Sequence, residues 1–179
     1  NFYMVVLFVF FVLSLIYWIL NLFVKDYPSH MKVGYVVLGL VVVSFAVFNS
    51  MNFVQKDYFI ESSVLDRDYR VVHISDIHVG SNSGKYLRRV IEHVNSLDDV
   101  DAVFLTGDLV DEDVLFEDLK SLNDLKYKSF LVYGNHEFHV RQESFERVLS
   151  RINITVLRNR SVDFEGLQVI GLDDDVELD

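Results

Sequence analysis

The sequence contains no cysteine and fewer basic than acidic residues. The absence of cysteine excludes disulfide bonds and thiolate metal ligands, although it does not distinguish one cellular compartment from another. Lysine and arginine number 16 against 27 aspartate and glutamate residues, for a formal net charge of −11. A nucleic-acid-binding domain normally presents a basic face, and no stretch of this sequence predicts one. We therefore expect no nucleic-acid partner.

Two long apolar runs occupy the N-terminal part of the chain. Residues 2–20 contain Ser14 as the one polar interruption, and a second run begins at Val33 and ends at Met51. A helix needs about 20 predominantly apolar residues to cross a bilayer, whereas a signal peptide has an apolar core of only about 7–15 residues. The runs therefore predict two transmembrane helices, at residues 1–24 and 33–52.

The lysines near these runs bear on membrane topology. Lys25 and Lys32 lie between the two runs, and Lys56 follows the second run closely. Because cytoplasmic loops are enriched in lysine and arginine, this pattern favours a cytoplasmic loop and an extracytoplasmic C-terminal domain. The sequence thus predicts a multi-pass membrane protein that contacts membrane lipids.

Short apolar runs alternate with amphipathic segments from residue 69 onward. The predicted strands are residues 70–75, 102–106, 129–133, 154–157, 161–164 and 167–171, and the predicted helices are residues 83–97, 114–125 and 142–151. Strands that alternate with helices indicate βαβ units and a parallel sheet. We expect an α/β domain at residues 69–179, joined to the apolar runs by a tether at residues 53–68.

Polar groups able to bind a metal ion follow each of the first three predicted strands. They lie in Asp76-Ile-His78, Gly107-Asp-Leu-Val-Asp111 and Gly134-Asn-His-Glu137. In α/β sheets, ligands bind beyond the carboxyl ends of the strands. Each segment alone is common in proteins, but three of them in order, each closing an apolar strand, predict a metal site.

In this order the three segments resemble the calcineurin-like metallophosphoesterase superfamily. Its pattern is Asp-x-His, Gly-Asp-x-x-Asp and Gly-Asn-His-Asp/Glu, then a lone His and Gly-His-x-His. Residues 72–80 and 171–174 are similar to segments in transmembrane proteins with a metallophosphoesterase domain. The resemblance implies the N-terminal part of a metallophosphoesterase sandwich. Because the chain starts at Asn1 and not at a methionine, we expect a fragment. Because the last two motifs are absent, we expect it to be truncated at the C-terminus.

The resemblance also implies metal ligands at the strand ends. Asp76 and His78 would bind a first divalent ion. Asp108 would bridge that ion to a second, which Asn135 would bind through its amide oxygen. Oxygen and imidazole ligands suit manganese, iron or zinc. A hydroxide that bridges the two ions would be the nucleophile, because metal-bound water loses a proton near neutral pH.

Other polar residues in these segments leave alternatives open. The resemblance makes His136 the group that stabilises the transition state and protonates the leaving oxygen. Asp111 would orient His136, or it would simply cap the following helix. Glu137 is as consistent with an exposed turn as with a functional role. Asp173 and Asp174 either face the site or form an acidic turn.

The predicted activity is hydrolysis of phosphoester or pyrophosphate bonds in a phosphorylated substrate, and a membrane anchor would suit a lipid-linked one. One alternative is a membrane-tethered, non-catalytic scaffold or receptor that retains the fold. A nuclease of the same superfamily is disfavoured by the acidic composition. Because a second ion would have only Asp108 and Asn135 as ligands, we expect this fragment to be weakly active or inactive, and the complete protein to be active.

Overall fold

The chain divides into two compact units, Asn1–Tyr58 and Phe59–Asp179. The computed structural model describes residues 2–23, 29–50 and 52–174. The boundary between the units falls inside the predicted tether, residues 53–68. The exact limits of the predicted domains stay predictions. The last residues of the predicted C-terminal domain, 175–179, lie outside the described residues.

The N-terminal unit contains two helices, α1 (Phe2–Phe23) and α2 (Ser29–Ser50). Among the residues that the structure describes, no helix combines the length and the apolar character needed to cross a membrane. The predicted transmembrane helices, residues 1–24 and 33–52, and the multi-pass location are therefore not supported. The topology prediction depends on Lys25, which lies outside the described residues.

The C-terminal unit is built around a parallel sheet, as the alternation of strands and helices predicts. Four strands pair in the order β1-β2-β3-β4, with bounds β1 Val71–Ile74, β2 Ala102–Thr106, β3 Lys128–Val132 and β4 Thr155–Val156. The helices between them are α3 (Gly84–Asn95), α4 (Phe116–Leu119) followed by a 3-10 helix (Lys120–Asp124), and α5 (Gln142–Leu149). The α/β fold with a parallel sheet is confirmed.

Helix α3 shows how the apolar spacing of the sequence determines the packing. Leu87, Val90, Ile91 and Val94 recur on one side of the helix, and all four are buried. Ser83 occupies the N-cap position, although its side chain makes no capping hydrogen bond. The spacing of apolar residues in a helix therefore predicted the buried face correctly.

The helix predicted at residues 114–125 forms in two shorter pieces. Leu115 keeps an extended backbone, so the α-helical turn starts only at Phe116, and a 3-10 helix follows from Lys120. The carboxylate of Asp118 accepts a hydrogen bond from the Leu115 backbone N–H at 2.9 Å. This hydrogen bond satisfies an amide at the start of the turn, and Leu119 and Leu122 still reach the core.

Strands β5 (Arg160–Phe164) and β6 (Leu167–Gly171) form an antiparallel hairpin that is separate from the parallel sheet. Its apolar side chains pack on a cluster formed by Ala102, Phe130 and Leu157. In the parallel sheet, Ile74 pairs with Leu105, and Thr106 pairs with Val132. The residues that follow β1, β2 and β3 therefore emerge at one edge of the sheet.

Candidate metal centre

Backbone hydrogen bonds join the loops that follow β1 and β2. The N–H of His78 donates to the Asp108 carbonyl oxygen at 2.9 Å, and the N–H of Asp76 donates to the Gly107 carbonyl oxygen at 3.3 Å. Val79 also bridges to Val110 in the manner of a short parallel pair. The two loops thus continue the pairing of their strands, which brings Asp76, His78 and Asp108 to the same edge.

Three predicted metal ligands have a left-handed backbone. The φ angles are 57° at Asp76, 50° at His78 and 54° at Asp108. This region is uncommon for residues other than glycine, and such conformations cost of order 1–3 kcal/mol each when they are strained. The inter-loop hydrogen bonds offset part of that cost, so the fold holds these side chains in conformations that an isolated loop would rarely adopt.

Two glycines allow the loops after β2 and β3 to approach closely. A Cβ atom added at Gly134 would lie 2.4 Å from Oδ1 of Asp108, and one added at Gly107 would lie 2.7 Å from the Gly134 Cα. Gly107 also has a φ of 82°, which side chains disfavour. A larger residue at Gly134 would displace the Asp108 carboxylate, and one at Gly107 would push the two loops apart.

His78, Asp108 and His136 form a group that could hold a metal ion. One nitrogen or carboxylate oxygen from each lies within 4.8 Å of the others. The Nε2 atom of His78 is 3.8 Å from Oδ1 of Asp76 and 3.9 Å from Oδ2 of Asp108. Two atoms that bind one ion at about 2.1 Å lie at most about 4.2 Å apart. The distances from His78 to Asp76 and to Asp108 are within this limit, so these two pairs could each share one divalent cation.

The other two predicted ligands are more open to solvent. The Asp76 side chain is 67% exposed, and its Oδ2 accepts a hydrogen bond from the Ser75 hydroxyl at 2.5 Å. Asn135 is exposed at the start of the 3-10 turn His136–Phe138. The ligand roles of Asp76 and Asn135 stay predictions, but both side chains belong to loops at the edge of the sheet where β1, β2 and β3 end.

A cleft of about 290 Å³ opens beside this group and includes Asp108 and Asn135 in its wall. Asp173 and Asp174, which follow β6, also line this cleft. Among the described residues that line the cleft there is no lysine or arginine. A phosphate group would meet several carboxylates here, and it could bind favourably only with cations in place.

Arg158 and Tyr133 stabilise the wall of the cleft near Asp173. Arg158 donates from Nε to Oδ2 of Asp173 at 2.9 Å, and its guanidinium lies 4.3 Å from the Tyr133 ring centroid. Burial raises the pKa of Tyr133 to about 12, so its hydroxyl is neutral at physiological pH. The N–H of Asp174 donates to the Tyr133 carbonyl oxygen at 3.2 Å. These contacts fasten the segment after β6 to the end of β3.

Asp111 lies beside His78. Its Oδ2 is 3.5 Å from Nδ1 of His78, and its side chain is only 11% exposed. Among the described residues, no ion pair within 4.0 Å joins Asp111 to His136, the residue it was expected to orient. Capping is excluded as its role, because Leu115 is the N-cap residue of the helix that follows.

Glu137 is the site residue that sequence reasoning missed. It is 0% exposed, so the exposed-turn alternative is wrong. Its carboxylate accepts three backbone hydrogen bonds, from the N–H of Asp108 at 2.9 Å, of Val110 at 2.9 Å and of Gly134 at 2.7 Å. Buried charges require such partners. No local signal in the sequence indicated this role, because two of the three partners, Asp108 and Val110, lie 27 or more residues away along the chain.

The α/β fold with its parallel sheet is that expected of a metallophosphoesterase domain, and the chain belongs to the calcineurin-like phosphoesterase family. The family model matches residues 69–177. Members of this family use divalent metal ions, and the group of His78, Asp108 and His136 could bind one.

Several curated proteins are similar to this chain. An uncharacterised metallophosphoesterase of Helicobacter pylori is 37% identical over 117 residues, which cover 62% of this chain and 31% of that protein. An uncharacterised metallophosphoesterase of Campylobacter jejuni is 33% identical over 156 residues, or 79% of this chain and 41% of that protein. A transmembrane protein with metallophosphoesterase domain from Danio rerio is 33% identical over 96 residues, or 50% of this chain and 22% of that protein. The chain thus spans well under half the length of these relatives.

Proposed function

We propose that the complete protein hydrolyses phosphoester or pyrophosphate bonds with two divalent metal ions, manganese, iron or zinc, held at the carboxyl edge of the parallel sheet. The observation that carries this proposal is that one nitrogen or carboxylate oxygen from each of His78, Asp108 and His136 lies within 4.8 Å of the others, so that the proposed ligands His78 and Asp108 lie beside the proposed acid His136. The acidic cleft beside them supports it, because a phosphorylated substrate would need cations there.

When bound, divalent ions would lower the pKa of a coordinated water to near neutrality and offset the charge of the phosphate. Asp108 is suited to bridge two ions, because its two oxygens face different neighbours. Oδ2 lies 3.9 Å from Nε2 of His78, while Oδ1 accepts a hydrogen bond from the His136 backbone N–H at 3.2 Å. Asp76 would be a further ligand of the ion bound by His78. Asn135 would bind the second ion, on the side of the cleft.

His136 would stabilise the charge that develops on the phosphate and donate a proton to the leaving oxygen. Its ring stands edge-on to the ring of His78, with 4.7 Å between the centroids. This distance supports the proposed role, because an ion bound by His78 would lie near the His136 imidazole. A group in that position contributes about 10²–10⁴-fold to rate as a general acid.

Metal dependence provides the first test. Purified complete protein, stripped of metal by a chelator, should lose hydrolysis of aryl phosphate monoesters and diesters, and added manganese should restore it. The restored activity should reach its maximum when metal analysis finds about two ions per chain. Hydrolysis that persists in protein proven free of metal would contradict the proposal. Full metal occupancy without hydrolysis of any phosphorylated compound would instead favour the non-catalytic scaffold.

We also propose that α1 and α2 contact membrane lipids, which would bring the domain to a lipid-linked phosphorylated substrate. Large apolar side chains are exposed on both helices, including Phe8 (66%) on α1 and Phe48 (70%) on α2. Exposed apolar patches of this kind mark interaction surfaces. The name of the Danio rerio relative, a transmembrane protein, is consistent with this proposal.

Co-sedimentation with phosphatidylcholine vesicles tests the lipid contact. The complete protein should pellet with vesicles in 0.5 M salt, because apolar contacts are insensitive to ionic screening. Replacing Phe8, Phe11, Phe45 and Phe48 by serine should shift it toward the supernatant. Protein that stays in the supernatant at every lipid concentration would refute lipid contact.

A further inference from the structure

The Asp111 carboxylate is held in one orientation by the loop that carries His78. Its Oδ1 accepts a hydrogen bond from the Ser81 backbone N–H at 2.9 Å. A Cβ atom added at Gly80 would lie 2.4 Å from the same oxygen, so a glycine is needed for this approach. The Asp111 N–H in turn donates to the Val79 carbonyl oxygen at 3.3 Å. Asp111 is therefore preorganised before any ligand binds.

The two ring nitrogens of His78 face different partners. Nε2 points toward the carboxylates of Asp76 and Asp108, at 3.8 and 3.9 Å, across the space where an ion would bind. Nδ1 points away from that space, toward Oδ2 of Asp111 at 3.5 Å. A neutral imidazole carries its proton on one nitrogen only. The Asp111 carboxylate can accept a hydrogen bond from an Nδ1–H group, and in that tautomer the lone pair on Nε2 is free.

We propose that Asp111 is a positioning residue for His78: it holds the Nδ1–H tautomer and aims Nε2 at the metal. This inference rests on the proposed function, because it assumes that His78 binds an ion. It differs from the sequence-based expectation, in which Asp111 orients His136. Carboxylates that accept a hydrogen bond from a ligand histidine fix its orientation and raise its basicity, and their loss typically costs 10–100-fold in metal affinity.

The substitution Asp111→Asn separates these two assignments. An asparagine carries one oxygen and one NH₂ group, whereas Asp111 faces two N–H donors, those of Ser81 and His78. If the oxygen stays with Ser81, the NH₂ group faces Nδ1 of His78 and favours the tautomer that is protonated on Nε2. That tautomer must lose its proton before Nε2 can bind an ion, so metal affinity should fall.

Manganese titration by calorimetry on the complete protein measures this effect. We expect Asp111→Asn to raise the dissociation constant by about 10–100-fold, with thermal unfolding of the metal-free variant near wild type. Glu112→Gln is the matched control, because it removes the same charge from the adjacent exposed residue and should leave the affinity unchanged. Unchanged affinity in Asp111→Asn, with slower turnover at saturating manganese, would overturn the inference and support the pairing with His136.

A measurement on the unsubstituted protein covers the case in which Asp111→Asn fails to fold. Long-range nitrogen–proton NMR spectra of the metal-free protein at pH 8 should show His78 as the Nδ1–H tautomer. The Nε2–H tautomer would overturn the inference. These outcomes are distinct from failure of the proposed function, in which the unsubstituted protein would neither bind manganese nor hydrolyse a phosphate ester.

Discussion

Replacing His136 by glutamine should slow turnover by about 10²–10⁴-fold while metal content stays near wild type, if its main role is to protonate the leaving oxygen. Glutamine keeps the backbone N–H that donates to Oδ1 of Asp108, so the Asp108 carboxylate should remain in place. Turnover should fall most for substrates with poor leaving groups, because a leaving oxygen that departs easily needs little protonation.

The contrasting variant is Asp108→Asn. It keeps the shape of the side chain but removes the negative charge that would let one residue bridge two cations. We expect metal occupancy and activity to fall together. The experiment combines metal analysis with kinetics on two aryl phosphates whose leaving groups differ in pKa, using the complete protein.

The matched control for His136 is His139→Gln. His139 is exposed, and its ring centroid lies 6.3 Å from that of His136, so its loss should change turnover little. Loss of metal in His136→Gln as complete as in Asp108→Asn would make His136 a ligand, as its place in the three-residue group allows. An equal decrease in turnover for both substrates would indicate that His136 stabilises the charge of the transition state and does not act as an acid.

Replacing Glu137 by glutamine should lower the free energy of unfolding of the C-terminal unit by about 2–4 kcal/mol. Hydrogen bonds to a charged group contribute about 1.5–3 kcal/mol, and a buried donor left without a partner costs about 1–3 kcal/mol. Glutamine can accept from Asp108 and Gly134 through one oxygen, but its NH₂ group then faces the N–H of Val110. One buried amide therefore loses its acceptor.

Thermal unfolding and amide hydrogen exchange measure this effect, with Glu92→Gln on the exposed side of α3 as the control. The amides of Val110 and Gly134 should exchange faster in Glu137→Gln than in the control. Metal affinity should also decrease, because the loops that carry Asp108 and Asn135 are joined through Glu137. A stability within 0.5 kcal/mol of the control, the usual range for surface substitutions, would show that the three hydrogen bonds are not needed.

Local signals predicted the parts of the fold that depend on nearby residues. The strands around Val72, Leu105 and Leu131 were predicted to within one or two residues, because continuous apolar runs bounded by glycine and aspartate mark buried strands. The helix at residues 114–125 was predicted less well. Its apolar positions fit a helix, but Leu115 remains extended and the chain then follows a tighter 3-10 path.

The sequence by itself determined which residue types close the first three strands, and hence the family and the chemistry of the site. Parallel strands end at one edge, so Asp76, His78, Asp108 and His136 had to converge. Only the tertiary structure decided what Asp111 and Glu137 contact. Apart from Gly134, their partners are distant in the sequence: Ser81, His78 and the amides of the loop after β2 lie 27 or more residues away along the chain. Such contacts depend on how loops with left-handed residues cross one another, which neither propensity nor periodicity encodes.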